Sequence, residues 1–205
     1  RSPATYVGFV FWSWLLTPFL RRVFDLRFGY HPASLLLVGP VLATAVAGFT
    51  LVRRAQNLRG TTYVPFLLAL FALLYAYTVG LIQHPAVAAS YDLLNWGGPL
   101  LFGLHIALEW RRFPRWRSVL TNVALWGMVV TSAYGLYQFI DPPAWDRVWV
   151  YNAEMYSVGL PVPFLIRVFS TMNAPASFAA FLMFAVLVGL PAPQRWKFLA
   201  LALGL

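Results

Sequence analysis

The chain has 205 residues, of which 60% are hydrophobic and only 10% are charged, and this composition excludes an ordinary water-soluble domain. The formal charge of +9 does not indicate a nucleic-acid partner, because the arginines stand in short clusters at the ends of apolar runs, as membrane-side anchors do. Because the chain contains no cysteine, it can form neither disulfides nor thiolate metal sites.

Apolar runs of membrane-spanning length recur along the chain. Crossing roughly 30 Å of hydrocarbon takes about 20 helical residues. We therefore predict an all-α membrane protein, a polytopic transmembrane helix bundle with about six spans and a truncated seventh, forming a single domain over residues 1–205. The chain begins without Met and stops at Leu205 inside an apolar run, so we expect it to be part of a longer protein.

Prolines, glycines and arginines mark the boundaries of the predicted runs. In chain order they are about Thr5 to Leu20, Ser34 to Val52, Tyr63 to Gln83, Leu93 to Glu109, a fifth ending near Ile140, Met172 to Leu190, and a seventh after Lys197. Pro18 and Arg21-Arg22 predict the end of the first run, and Pro40 predicts a kink in the second. Gly97-Gly98-Pro99 predicts a break in the fourth, which is tolerated only where protein or water satisfies the freed backbone, so this helix should face the bundle interior.

The distribution of basic residues predicts the orientation in the membrane. Short loops rich in Lys and Arg stay in the cytoplasm, which places residues 53–59, 111–117 and 195–197 inside. The tight His84-Pro85 turn and the 141–169 loop are then extracytoplasmic. Arg21, Arg22 and Arg27 also fall outside, against the rule. Either they bind an anion such as a lipid phosphate, or the first run does not span the membrane.

The most informative stretch joins the outer loop to the sixth run. Arg167, Ser170, Thr171 and Asn173 precede Pro175, and residues 176–190 carry no charge. The start of a helix has unpaired N–H groups and the positive end of the helix dipole, so with an arginine beside it this arrangement suits a phosphate. The same residue types also serve as ordinary helix caps and interfacial anchors.

Other candidate chemistry is less specific. The aromatic stretch from Tyr137 to Trp149 is typical of a membrane-surface belt, or of a lid that faces a sugar or lipid. His31, His84 and His105 are not assigned a catalytic role. No set of His, Asp and Glu has metal-ligand spacing, so we predict no metal and no cofactor.

Several stretches resemble the O-antigen ligase and polymerase family of bacterial polytopic membrane proteins. They are Thr17-Pro-Phe-Leu-Arg-Arg-Val-Phe-Asp25, Tyr134-Gly-Leu-Tyr-Gln-Phe139, Trp145-Asp-Arg-Val-Trp149, and above all Arg167-Val-Phe-Ser-Thr-Met-Asn173 with Pro175. The last is similar to the family's Arg-x-x-(Gly/Ser)-Thr-x-x-Asn-Pro-Asn entrance to a central helix. Asn173 is displaced relative to Pro175, and Ala176 stands where the family often has a second Asn.

This resemblance implies glycosyl transfer at the outer face of the bacterial inner membrane, without a metal. The donor would be an undecaprenyl-pyrophosphate-linked glycan and the acceptor a glycan or a lipid. Substrate-binding candidates are Arg167, Ser170, Thr171, Asn173, Arg21 and Arg22. The family's histidine lies in a large outer loop downstream of the motif, which would fall beyond Leu205. We therefore name no catalytic residue and expect the fragment alone to be inactive.

A transporter or channel for a small solute is the main alternative, followed by a membrane assembly protein without chemistry. A transporter should carry ionisable residues near the middle of the bilayer. Here the charges gather at the ends of the runs, which favours chemistry at the membrane surface.

Overall fold

The computed structural model describes residues 3–31, 34–54, 63–191 and 197–204. These residues are all-helical, with one isolated bridge between Gly159 and Ile166 and no strand. The helices are α1 (Pro3–Phe28), α2 (Val38–Ala45), α3 (Ala47–Arg54), α4 (Val64–Gln83), α5 (Ala86–Leu108), α6 (Phe113–Ile140), α7 (Ala144–Asn152), α8 (Pro175–Gly189) and α9 (Lys197–Gly204). The predicted all-α class is confirmed for this part of the chain.

The first helix is longer than predicted. α1 continues through Pro18 and Arg21-Arg22 to Phe28, where the sequence predicts a connection. Both arginines form ion pairs with carboxylates inside the protein. Because carboxylates neutralise the two arginines inside the protein, the helix can continue past them and does not need to end where the charges begin.

The second predicted run is divided rather than kinked. It forms two helices separated at Val46, and Pro40 lies in the first turn of α2. A proline is tolerated there because the first N–H groups of a helix have no intrahelical partner. The connection that follows α3, including Arg59, lies outside the described residues, as does Arg195.

The fourth predicted run begins earlier, at Ala86, and the expected break is wrong, since α5 continues through Gly97-Gly98-Pro99. Both glycines are buried, and Leu73 and Thr44 pack against the positions that a Cβ would occupy. This helix packs against α2, α3 and α4, and the prediction that it faces the interior of the bundle stays a prediction. Contacts with α4 across the His84-Pro85 turn also agree with the prediction that the third and fourth runs are adjacent.

The 141–169 loop contains more structure than predicted. α7 and a short 3-10 helix at Tyr156–Val158 lie within residues 141–169. The connection after the fourth run is shorter than predicted, because α6 begins at Phe113 and contains Arg117 of the basic cluster. α8 begins at Pro175, which leaves Met172 in the turn that precedes it.

The chain divides into two compact units, and the single transmembrane domain stays a prediction. The first unit comprises Arg1–Leu37 and Pro114–Leu205, and the second comprises Val38–Phe113. In the first unit, Leu125 and Met128 of α6 are fully buried with Ala185 of α8 and Ala200 of α9. A Cβ at Gly127 would lie 2.8 Å from the Phe181 ring, so this glycine allows α6 and α8 to approach closely.

Among the described helices, two are long and apolar enough to cross a membrane. They are α4, Val64–Gln83, and the Trp116–Ile140 part of α6. α4 has no buried side chain, whereas half of the α6 segment is buried within the protein. The apolar segments Leu35–Phe49 and Pro175–Gly189 are shorter.

Candidate functional site

The turn between the 141–169 loop and α8 has an unusual backbone. Ser170 has a φ of 54°, in the left-handed region that favours glycine. Its side chain is fully buried, and its hydroxyl donates a 2.5 Å hydrogen bond to the Thr131 carbonyl oxygen of α6. A non-glycine residue keeps such a conformation only where its surroundings enforce it, and such residues cluster at functional sites.

Gln138 of α6 provides the main restraint on this turn. Its Oε1 accepts hydrogen bonds from two successive backbone N–H groups, those of Phe169 at 3.0 Å and Ser170 at 2.9 Å. Its Nε2 donates to Asp146 Oδ2 at 2.5 Å. The side chain is fully buried. One amide therefore connects α6, α7 and the turn before α8.

Arg22 of α1 holds the same turn from another side. Its Nη2 donates a 2.5 Å hydrogen bond to the Ser170 carbonyl oxygen, 148 residues away in sequence. Its guanidinium carbon lies 4.7 Å from the centre of the Phe169 ring and 5.8 Å from that of the Trp149 ring. Both rings are buried, so these cation–π contacts are shielded from water.

Asp146 of α7 neutralises Arg22. The Asp146 Oδ1 to Arg22 Nη1 distance is 3.2 Å, and both side chains are fully buried. Asp146 Oδ2 also accepts a 2.7 Å hydrogen bond from the Tyr134 hydroxyl, which in turn accepts one from Trp145 Nε1. Burial raises the pKa of the Asp146 carboxyl, and the positive charge of Arg22 opposes that shift.

We call this arrangement the turn network: Arg22, Tyr134, Gln138, Asp146 and Ser170. It joins α1, α6 and α7 to the turn that begins α8. Comparison of the chain with family models, with curated proteins and with solved structures found no significant match. The interpretation of the site therefore depends on its own geometry and on the sequence resemblance.

The predicted substrate-binding residues occupy four different environments. Arg22 and Ser170 belong to the turn network. Arg21 is buried, forms a 3.2 Å ion pair with Asp25, and donates to the His31 carbonyl oxygen. Arg21 and Arg22 thus each have partners within the protein. The donor contacts predicted for these two arginines stay predictions.

Arg167 is exposed, unlike these two arginines. Its Nη1 donates one long hydrogen bond, 3.4 Å, to the Ser157 carbonyl oxygen. Its backbone N–H donates to the Val158 carbonyl oxygen at 2.8 Å, which connects it to the 3-10 helix Tyr156–Val158. The main chain of Arg167 is thus held while its guanidinium faces outward.

Thr171 and Asn173 complete the approach to α8. Thr171 is 3% exposed. Its Oγ1, like Asn173 Oδ1, is buried and has no hydrogen-bond partner among the described residues. Ala174 precedes α8 without a side-chain cap, so the first N–H groups of the helix receive no capping bond from that residue. Two enclosed polar oxygens without a hydrogen-bond partner in the described part of the chain thus lie just before this helix terminus.

The described residues contain no group of three His, Asp or Glu side chains placed to hold a metal ion. The arrangement offers instead an outward-facing cation and hydrogen-bond donors at a helix N-terminus. Both kinds of group stabilise anions. The chemistry that these residues can support is therefore the binding of an anionic oxygen group.

Sequence analysis missed Gln138, Asp146 and Tyr134 as members of the site. They lie in two of the stretches that carried the family resemblance, but the partners that connect them to the site, Ser170 and Arg22, are distant in sequence. One local signal was available, because Tyr134 and Gln138 are four residues apart and so share a face of α6. The interpretation of this region as an aromatic belt obscured that signal.

The left-handed conformation of Ser170 leads to a stability prediction. Ser170→Ala and Ser170→Gly both lose the bond to Thr131, but only alanine retains the unfavourable φ. We expect the alanine variant to be less stable than the glycine variant by about 1 kcal/mol. Thermal unfolding of the purified protein in detergent measures the difference.

Ser118 provides the matched control for this prediction, because it is exposed and lies in regular α6 helix. There the order should reverse, with Ser118→Gly less stable than Ser118→Ala by about 0.5–1 kcal/mol. The same order at both positions would show that the turn does not impose a left-handed Ser170.

Proposed function

We propose that this chain belongs to a multi-pass protein of the bacterial inner membrane that transfers a lipid-linked glycan at the outer face of that membrane. The donor is an undecaprenyl-pyrophosphate-linked glycan, the acceptor is a glycan or a lipid, and Arg167 binds the donor pyrophosphate. The observation that carries this proposal is the exposed Arg167 on a chain segment that leads directly into the turn network.

The exposure of α4 supports the membrane part of the proposal. Twenty residues at 1.5 Å each match the roughly 30 Å of hydrocarbon in a bilayer. A core helix of a soluble protein would be largely buried, but α4 buries none of its side chains. A lipid environment removes this apolar surface from water.

The chemistry of transfer explains why an arginine is needed. The bond between the anomeric carbon and a phosphate oxygen breaks, its electrons remain on the pyrophosphate, and a new bond forms to an acceptor hydroxyl that loses its proton. Negative charge therefore grows on the leaving group. A guanidinium placed in advance stabilises that charge without reorganising at the moment of reaction.

The turn network supports this role because it fixes the approach to α8. Buried contacts from α1 and α6 hold the backbone of Phe169 and Ser170, and Asp146 of α7 holds the two side chains that make them. Arg167 can then meet the donor without the cost of ordering this segment. The first N–H groups of α8 supply further donors for phosphate oxygens. The donor contact predicted for Thr171 stays a prediction, because its hydroxyl oxygen is enclosed by the protein.

Transfer by the full-length protein is the deciding test. Purified protein in proteoliposomes, supplied with undecaprenyl-pyrophosphate-linked glycan and acceptor, should form the glycosylated acceptor without added metal. Protein-free liposomes provide the control. If no product forms while solute uptake is seen, the transporter alternative replaces this proposal.

The proposed orientation predicts a labelling pattern. Because the chain has no cysteine, single cysteines can be placed at Ser157 in the outer loop and at Ser118 in α6, both exposed positions. A membrane-impermeant thiol reagent should modify Ser157→Cys in intact cells and leave Ser118→Cys unmodified, since basic segments stay inside. The opposite pattern would contradict the orientation.

A further inference from the structure

We propose that Gln138 is a positioning residue for the donor, because its side-chain amide sets the backbone from which Arg167 reaches the pyrophosphate. This inference depends on the proposed function for the identity of the donor. The proposed control of the turn by Gln138 can be tested separately.

The hydrogen-bond directions at Gln138 make it more than a packing residue. Phe169 and Ser170 supply two successive N–H donors, and a single oxygen, Gln138 Oε1, accepts both. This geometry requires the two N–H groups to converge, and Ser170 then has a φ of 54°. The oxygen therefore favours a turn that an unassisted serine would rarely adopt.

Asp146 orients that amide. Because Gln138 Nε2 donates to Asp146 Oδ2, the carbonyl end of the amide must point at the turn and not towards Asp146. Arg22 balances the carboxylate charge and also binds the Ser170 carbonyl oxygen. Gln138 thus binds the N–H of Ser170 and Arg22 binds its carbonyl oxygen, and Asp146 fixes both of these side chains.

The turn network connects to Arg167 over a short distance along the chain. Phe169 is two residues after Arg167, and the backbone N–H of Arg167 is itself bonded to the Val158 carbonyl oxygen. Because the N–H of Arg167 and the N–H of Phe169 are both hydrogen-bonded, the backbone of Arg167 has little rotational freedom. Loss of the Gln138 bonds should release one of these two restraints.

The first test compares Gln138→Leu with the wild type in two measurements. Hydrogen exchange of the peptide containing Phe169 and Ser170 should become about tenfold faster, because both N–H groups lose their acceptor. In the transfer assay with full-length protein, the KM for the lipid-linked donor should rise about tenfold and the KM for the acceptor should not change.

Leu125→Ala is the control for general destabilisation. Leu125 lies on the same helix, is fully buried against α8 and α9, and is not part of the turn network. This variant should lower the thermal midpoint while leaving the donor KM unchanged. A rise in donor KM for Leu125→Ala as large as that for Gln138→Leu would overturn the positioning role.

The double variant Gln138→Glu with Asp146→Asn tests the hydrogen bonds themselves. It exchanges the amide and the carboxylate between the two positions and keeps one carboxylate near Arg22, so a carboxylate oxygen at position 138 can still accept from the turn. Exchange protection and donor KM should both return towards wild type. Recovery of exchange protection without recovery of the donor KM would overturn the positioning role.

The outcomes separate this inference from the proposed function. Faster exchange in Gln138→Leu with an unchanged donor KM would overturn the positioning role while transfer stands. Unchanged exchange would show that Gln138 does not set the turn. If the wild-type protein transfers no glycan, the proposed function fails and the donor role of Gln138 fails with it. The exchange measurement then decides its structural role alone.

Discussion

Asp146→Ala should lower the free energy of unfolding by about 3–5 kcal/mol, because it leaves the guanidinium of Arg22 buried without its counterion. Both side chains are fully buried, so water cannot replace the lost partner. Two further groups, the Tyr134 hydroxyl and the Gln138 amide, would lose their acceptor as well. Denaturant unfolding of the purified protein in mixed micelles measures the change.

An exposed ion pair in the same region provides the control. Arg147 and Asp141 approach to 2.5 Å, closer than the 3.2 Å of the buried pair, but their side chains are 45% and 62% exposed. Removal of either exposed charge should therefore cost less than about 1 kcal/mol. Burial, and not distance, decides which of the two pairs matters for stability.

A double variant distinguishes attraction from the cost of an unpaired charge. Arg22→Met combined with Asp146→Leu removes both charges and should recover much of the loss seen in either single variant. If the two single losses simply added, Arg22 and Asp146 would not be acting as a pair. A small loss in Asp146→Ala would show that the turn network contributes little to the fold.

Arg167→Ala should reduce glycan transfer by roughly a hundred- to a thousandfold, equivalent to about 2.7–4 kcal/mol of transition-state stabilisation. The guanidinium can bind two phosphate oxygens at once, and an ammonium group lacks that geometry. We therefore expect Arg167→Lys to lose much of the activity, although less than the alanine variant. The measurement is the initial rate of transfer in membranes, normalised to the amount of protein.

The exposure of Arg167 allows a direct loss of catalysis to be distinguished from a loss of folded protein. Its side chain is exposed and makes one long hydrogen bond, so the abundance of Arg167→Ala should stay near that of the wild type. Arg147→Ala, another arginine on the outer loop, should retain normal activity. Wild-type activity in Arg167→Ala would refute the assignment, and loss of the protein together with activity would make Arg167 a structural residue.

Local signals in the sequence predicted much of the helical layout. The third run and the end of the fifth agree with α4 and α6, because long apolar stretches and a tight His84-Pro85 turn are local features. Prolines misled the prediction at Pro18 and Pro99. A proline inside a helix removes one backbone hydrogen bond, and tertiary packing can offset that cost. In α5 the glycines beside Pro99 are buried against α2 and α4.

For the candidate site, the sequence indicated the right stretch but not its organisation. Arg167 and Ser170 were recognisable because polar residues directly precede an uncharged run. The different environments of the arginines were not recognisable. A guanidinium is exposed or buried according to where its counterion lies, and the carboxylate that pairs with Arg22 is on α7, far away in sequence.

The amino-acid sequence by itself determined that the described chain is helical and apolar, since these properties follow from composition and from periodicity within one segment. Only the tertiary structure decided that Ser170 is left-handed, that Gln138 accepts two N–H groups, and that Arg22 faces Asp146. The physical reason is that a buried polar group must find a partner wherever the packing of helices brings one within about 3 Å. That meeting is a property of the assembled helices and of no single segment.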